Sequence, residues 1–440
     1  MQRVIIWLML LFCPGILLSQ NSFQFRPGKN KTVIPFKCIN NLIFIPVVVN
    51  GVKLNFLLDT GVEETILFSL DDTDEIVFEN AEKITFRGLG NTMSIVGLKT
   101  THNKVSFRNF YNDSETIYVV LDQDFSLSST VGIPVNGIIG HHFFENFPVE
   151  INYDKQKVII HQNDAKLERR LRKFKSFPIS IERNRPYVNG SFLLENSDMK
   201  AKLLLDTGNS DAVWLFEGKS DSICVPKVNF KDYLGLGLNG EVYGKRARIS
   251  KFGFCNFSFP NPVAAFPEPD AIRNVYMVDN RLGSVGSEVL KRFTVVLDYK
   301  NQKMYLKKSR KFDEPFGYNV AGLSIRHNGL QWVKQTIAMG LAPKVVFSAD
   351  EQPGEDNKFT YKFELKPVYK ISSVRENSPA DKAGLLKEDI VLKINGKSVY
   401  YFTLDEINRM LKSEEGERVT IDVERNGKVI KTSFRLISVL

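Results

Sequence analysis

The same short phrase occurs twice in this chain and places a carboxylate at the same point each time. Leu57-Leu58-Asp59-Thr60-Gly61 returns as Leu204-Leu205-Asp206-Thr207-Gly208, 147 residues later. The register continues beyond the phrase: Phe86-Arg87-Gly88-Leu89-Gly90 matches Tyr233-Leu234-Gly235-Leu236-Gly237, and Gly97 matches Gly244. At an offset of 146, Gly137-Ile138-Ile139-Gly140 with Phe147, Val149 and Tyr153 matches Gly283-Ser284-Val285-Gly286 with Phe293, Val295 and Tyr299. An ordered series in nearly constant register marks a duplicated unit. Two lobes related by a pseudo-two-fold axis would then each bring one Asp to a shared site. Carboxylates held within roughly 3 Å cannot both ionise easily, so they share a proton and titrate as a pair.

Within each lobe the pattern reads as strands. Leu42–Val49 is apolar and β-branched, Val52–Phe56 alternates, and Asn50-Gly51 between them is a hairpin signal. Pro46 suggests an edge or a break in the first run. Asp59 falls where the second strand ends, and Thr65–Phe68 resumes an apolar strand. The second lobe repeats this from Pro186 to Asp206. Each lobe closes with its Gly-x-x-Gly turn, a short helix and a hairpin, over Phe147–Ile160 and Phe293–Leu306. The fold class expected is mainly β.

A chain of 440 residues predicts about three domains. Arg3, the apolar run Val4–Leu18 and the small Ser19 read as a signal peptide over residues 1–20, cut near Ser19/Gln20. The mature chain is then expected to be exported, periplasmic or secreted, with membrane association only if that segment stays uncleaved. Three cysteines remain, Cys38, Cys224 and Cys255, and spacing leaves a Cys224–Cys255 bridge open. No metal-ligand spacing appears, so neither a metal nor another cofactor is expected. Net charge is +9, much of it in a basic inter-lobe linker over 162–177 that includes Lys166, Arg169, Arg170, Arg172 and Lys173. A solvated linker with a docked helical turn accounts for that charge, and an exported chain without an aromatic–basic motif is not expected to bind nucleic acid. Gly235-Leu236-Gly237-Leu238-Asn239-Gly240 fits the dinucleotide pattern but has no βαβ context.

A further unit spans 316–440. Ser378-Pro379-Ala380, Ala383-Gly384-Leu385, Asp389-Ile390-Val391 and Ile394-Asn395-Gly396 carry its pattern of turn, short helix and apolar strand. A loop-like stretch at about 340–366 reads as an insertion.

The two lobes, over 21–161 and 178–311, resemble the pepsin and retropepsin aspartic proteases on the strength of both Asp-Thr-Gly phrases. The C-terminal unit resembles a PDZ domain of the exported bacterial, protease-associated kind. The resemblance implies an aspartic endopeptidase acting on peptide or protein substrates. In it Asp59 and Asp206 are the catalytic pair, one activating water as general base and the other polarising the carbonyl. Thr60 and Thr207 would bond across the lobes, and Gly61 and Gly208 would let the backbone approach the carboxylates. Val62 and Asn209 stand where pepsins place Ser or Thr, so only Asn209 could offer a polar substitute. Gly88, Gly90, Gly235 and Gly237 would form substrate-covering flap tips. Gly322, Leu323, Ser324 and Ile325 would bind a peptide C-terminus by β-augmentation. The alternative is a catalytically weak or inactive protease-like peptide-binding adaptor. A monomer is expected, and no residue assigned to the pair or flaps follows Leu306, so the cleft is expected to be complete without the C-terminal unit.

Overall fold

The structure is a computed structural model that describes residues 22–68, 75–86, 95–120, 127–194, 197–221, 223–237, 240–273, 275–337 and 360–440. The expected signal segment, Gly88 and Gly90 lie outside the described residues.

Each lobe is a β unit whose hairpins follow the local turn chemistry. Asn50 and Gly51 both take positive φ, 47° and 94°, which matches the twist of flanking strands. Leu42–Val49 therefore pairs with Val52–Leu58, from Val49 opposite Val52 to Phe44 opposite Leu57. Pro46 is tolerated because the other side of its strand is unpaired there. On that side Leu42–Val49 meets Lys37–Ile39 at residues 42–44 and Ile95–Phe107 at Val48 and Val49, which leaves Pro46 between them.

The repeat places both Asp residues identically. Gly137–Ile139 lies parallel to Val52–Leu58 and antiparallel to Thr65–Leu67, so Asp59 N–H donates to the Ile139 carbonyl at 3.0 Å. In the second lobe Arg281–Val285 lies parallel to Ser197–Leu205 and antiparallel to Val213–Leu215, and Asp206 N–H donates to the Val285 carbonyl at 3.0 Å. The chain passes so close behind each Asp loop that only glycine fits. A Cβ on Gly140 would stand 2.1 Å from the Val62 carbonyl oxygen, and one on Gly286 2.3 Å from that of Asp211.

A six-stranded sheet joins the lobes. Lys31–Pro35, Lys157–His161 and Val149–Asn152 come from the first half, and Phe293–Asp298, Lys303–Lys308 and Lys175–Pro178 complete it. The central pairing sets Val149 opposite Leu297 and Ile151 opposite Val295. These are repeat-equivalent positions exchanged, so the pseudo-two-fold axis passes between Glu150 and Val296. One continuous apolar cluster runs from Phe23 through both lobes to Phe316, with one face of this junction in it. Burial at that scale makes independent opening of the lobes costly.

Part of the basic linker belongs to this junction. Ala165–Leu171 is a helix capped by Asp164, which accepts from Lys166 and Leu167 N–H, and Leu167 is buried. Arg170 bonds Glu150, buried in the central strand, at 2.7 Å. Lys175–Pro178 adds to the sheet as a strand beside Lys303–Lys308, so the linker is a solvated tether only in its middle.

The C-terminal unit forms its own six-stranded sheet and core. Leu323–Ile337 is its edge strand and pairs with Thr360–Val374. Of the expected insertion at about 340–366, residues 360–366 are strand, while 340–359 lies outside the described residues. Ser378 caps the helix Pro379–Lys382, and Thr403 with Glu406 forms a capping box on Leu404–Leu411. The unit packs on both lobes. Val263 of the second lobe enters its core, and Arg375 lies 4.1 Å from the Phe230 ring centroid. Asn408 Nδ2 donates to Asn40 Oδ1 of the first lobe at 3.2 Å.

Overpacking behind an Asp loop should be costly. Gly140→Ala is expected to lose about 3 kcal/mol or more in urea unfolding. Gly317→Ala, where an added Cβ meets nothing within 4 Å, should stay within about 0.5 kcal/mol of the parent.

Candidate active site

The two Asp loops are locked together by reciprocal threonine bonds. Thr60 N–H donates to Thr207 Oγ1 and Thr207 N–H to Thr60 Oγ1, both at 3.0 Å. Each hydroxyl then donates across the interface, Thr60 to the Leu205 carbonyl at 2.6 Å and Thr207 to that of Leu58 at 2.8 Å. Both donors and both acceptors of the crossing are satisfied, which a buried polar junction requires. The two expected support positions therefore meet.

The carboxyls sit on top of this junction, held by the glycines that follow them. Gly61 N–H donates to Asp59 Oδ1 at 2.7 Å, and Gly208 N–H to Asp206 Oδ1 at 3.1 Å. A Cβ on Gly61 would lie 3.0 Å from Asp206 Oδ1 and 3.1 Å from Asp59 Oδ1. One on Gly208 would lie 2.1 Å from Asp59 Oδ2. Gly208 has no room for a side chain against Asp59, and Gly61 is crowded by both carboxyls. One Cβ position at Gly61 would thus touch an oxygen of each carboxyl, so Asp59 and Asp206 stand side by side.

Burial and crowding set the protonation. Asp59 is pushed up to about 8, first by burial and then by the charge of Asp206, against the N–H of Gly61 and the guanidinium of Arg185. Asp206 is also raised by burial, opposed chiefly by Arg281 and by the N–H groups of Gly208 and Asn209. Asp59 is buried while Asp206 is half open to the cleft. The Asn209 side chain does not substitute for a pepsin hydroxyl. Its Oδ1 accepts from Asp211 N–H at 2.9 Å, and its Nδ2 reaches Ser284 Oγ at 3.3 Å.

Some groups around the pair were not singled out from sequence. Arg185 and Arg281 both line the cleft beside the carboxyls. Glu115, fully buried, accepts from Thr65 Oγ1 at 2.6 Å and Asn112 Nδ2 at 2.5 Å, and meets His142 Nδ1 at 2.9 Å. That hydrogen bond, against the pull of burial, raises His142 to about 9. His142 thus pins the strand after Asp59, and no metal-binding cluster occurs among the described residues. In the second lobe Arg246 bridges Asp211 and Asp232, each at 2.7 Å. Cys38, Cys224 and Cys255 are all free thiols.

The pair opens into a cavity of about 970 Å³. Gly235 and Gly237 line it, in the hairpin of Asn229–Gly237 with Gly240–Arg248. A bulge follows Tyr233, where Gly235 takes φ 152°, and Leu236 packs on an apolar cluster of the first lobe. This hairpin therefore reaches across the cleft. Ser324, Ile325, Arg326, Ser373 and Asn408 line the same cavity. The cleft is not complete without the C-terminal unit, contrary to expectation, because that unit docks over both lobes. Gly322 N–H is already taken by Asn319 Oδ1 at 3.0 Å, and of the expected loop Ser324 and Ile325 line the cavity, Ile325 with its side chain buried in the core of the C-terminal unit.

Residues 370–425 match the PDZ domain family model, so the C-terminal unit carries a PDZ domain. Over 58 residues, 13% of this chain, the sequence is 40% identical to a probable CtpA-like serine protease of Staphylococcus saprophyticus. Over the same length it is 36% identical to that of Staphylococcus haemolyticus and 34% to that of Staphylococcus aureus. The chain spans only 12% of the length of these relatives. An aspartic proteinase from Irpex lacteus aligns over 64% of this chain and 99% of its own at 12% identity, with a TM-score of 0.41. The relatives' names correct the expectation of an aspartic endopeptidase: they are serine proteases, and the aspartyl-protease and retropepsin-like labels are withdrawn with it. The PDZ domain stands on its own family match, and the word protease belongs to the relatives' names. Near the pair, Ser287 Oγ donates to the Thr207 carbonyl at 3.0 Å and Ser284 Oγ meets Asn209, so neither serine is bonded to a histidine or lysine.

The raised Asp59 carboxyl has a stability signature. Its folded value lies above the unfolded value of about 3.9, so the folded state binds the extra proton. The resulting stabilisation is full below pH 4 and is lost as pH rises to about 8. Asp59→Asn should remove that loss. The variant should gain on the parent steadily from pH 4 to 8 in thermal melts, by at most about 1.4 kcal/mol per pH unit. A constant difference across that range would contradict the raised carboxyl.

Proposed function

We propose that this chain binds polypeptides and works in proteolysis. An extended peptide lies along the cleft between the lobes, over Asp59 and Asp206, with the PDZ domain forming one end of the seat. The observation that carries this reading is the continuity of the cavity, from the carboxyl pair at its floor to the strand edge at Ser324 and Ile325. A sheet edge offers unpaired N–H and C=O groups to an extended chain. The singly protonated pair offers one donor and one acceptor side by side, which suits a backbone amide. Thr60, Gly61, Thr207 and Gly208 hold that pair in position, and Gly235 and Gly237 cover it. Gly322 and Leu323 shape the end of the strand that Ser324 and Ile325 present. The names of the relatives support a protease setting, and the apolar run of residues 1–20 supports an exported location.

Incubation of the full mature chain with a diverse peptide library tests this, with retained peptides and any products mapped by mass spectrometry. Extended peptides should be retained, and the double variant Asp59→Asn/Asp206→Asn should hold them at least about tenfold more weakly. A fluorophosphonate probe run in parallel reports whether a serine nucleophile is present, as the relatives' names would have it. A library from which nothing is retained would overturn the reading.

A further inference from the structure

Ser180–Glu182 and Arg185–Leu194 form a hairpin whose turn residues, Arg183 and Asn184, both take positive φ. It brings Arg185 to the cleft wall beside Asp59, with Tyr187 two residues on and therefore on the same face of the strand. Arg281 opens the strand that runs behind Asp206 and is itself buried.

Neither guanidinium has a carboxylate of its own among the described residues. Glu182, opposite Arg185 in the ladder, is bonded instead to Lys202 at 2.6 Å and Ser180 at 2.8 Å. Arg281 Nε donates to the Gly283 carbonyl at 3.1 Å, and its guanidinium lies 5.2 Å from the Phe216 ring centroid. Arg185 Nε and Tyr187 OH are buried polar atoms without a hydrogen-bond partner. Arg246, elsewhere on the same cleft, shows the contrasting arrangement, with a carboxylate on each side.

Two guanidiniums thus face the pair from a partly desolvated wall, and the Arg185 Nε donor has no acceptor there, which is costly until an anion arrives. The planar fork of Arg suits a carboxylate in particular. We propose that Arg185 and Arg281 form a carboxylate subsite beside the pair, so that the cleft selects polypeptides placing an acidic group next to the residue over Asp59 and Asp206. This rests on the peptide-binding reading above and names its substrate class. The carboxylate comes from an Asp or Glu side chain or from a free chain end.

The test is fluorescence polarisation on the full chain with short labelled peptides chosen from those the cleft retains. One amidated series carries Glu scanned through each position and a second carries Gln. A third, Gln-only series ends in a free carboxylate. At one position Glu should bind about tenfold or more tighter than Gln, the range of a charge-assisted hydrogen bond. A gain in the third series instead would identify the chain end as the source. Arg185→Gln should collapse that ratio toward one and Arg185→Lys should keep part of it, with thermal melts confirming that both fold. Arg281→Gln is the second arm, read the same way. Equal binding of all three series, or a ratio unchanged in Arg185→Gln, overturns the subsite while leaving peptide binding intact. Failure of every peptide to bind sinks both.

Discussion

The crossing of Thr60 and Thr207 is the interaction on which the site depends. Each threonine gives its N–H to the other's hydroxyl and its own hydroxyl to a carbonyl of the opposite lobe. Four hydrogen bonds in a buried place leave no polar group to spare, and breaking one would strand its partner. The crossing also dictates the geometry above it. Because Asp59 and Asp206 immediately precede the threonines, locking the threonines brings the carboxyls together. The six-stranded sheet repeats the same symmetry at larger scale, with Val149 on Leu297 and Ile151 on Val295.

Holding two carboxyls so close has an electrostatic cost, and the surroundings show how it is met. Burial dominates for both acids and favours the protonated form, while Arg185, Arg281 and the glycine N–H groups oppose it. Burial prevails at both, so each carboxyl is held above the usual carboxylate range. Glu150 is the instructive contrast. It is equally hidden, yet hydrogen bonds from His161 and Arg170 overcome burial and hold it at about 2. The difference lies in whether the neighbour is another acid or a base.

Much of the fold was legible because it rests on local signals and on the repeat. Asn50-Gly51 announced its turn, the two Asp-Thr-Gly phrases announced two lobes meeting at a pair of carboxyls, and Ser378-Pro379-Ala380 announced a turn into a short helix. What escaped depended on partners far away in the chain. Glu115 meets Thr65 across 50 residues, and nothing near either position signals the contact. Arg185 and Arg281 belong to no motif, and only the fold lays their strands beside the carboxyls. Lys175–Pro178 was hidden within a basic stretch whose charge outweighed its strand pattern. The C-terminal unit was recognisable on its own, but its docking over the cleft was not, because Asn408 and Asn40 carry no mark of each other. The class of peptidase was inferred from the paired carboxylates and from likeness, and that is the part the relatives' names corrected.

The central claim is that Asp59 and Asp206 share one proton at the floor of the cleft. Carbon-13 NMR of the protein labelled at Asp side-chain carboxyls, titrated with pH and assigned with the two Asp→Asn variants, measures this directly. The account predicts two coupled steps, the upper one far above the usual carboxylate range and near the value of about 8 given for Asp59. It also predicts that removing either Asp returns its partner toward a lower value. Two carboxyls titrating independently near 4, each indifferent to loss of the other, would contradict it.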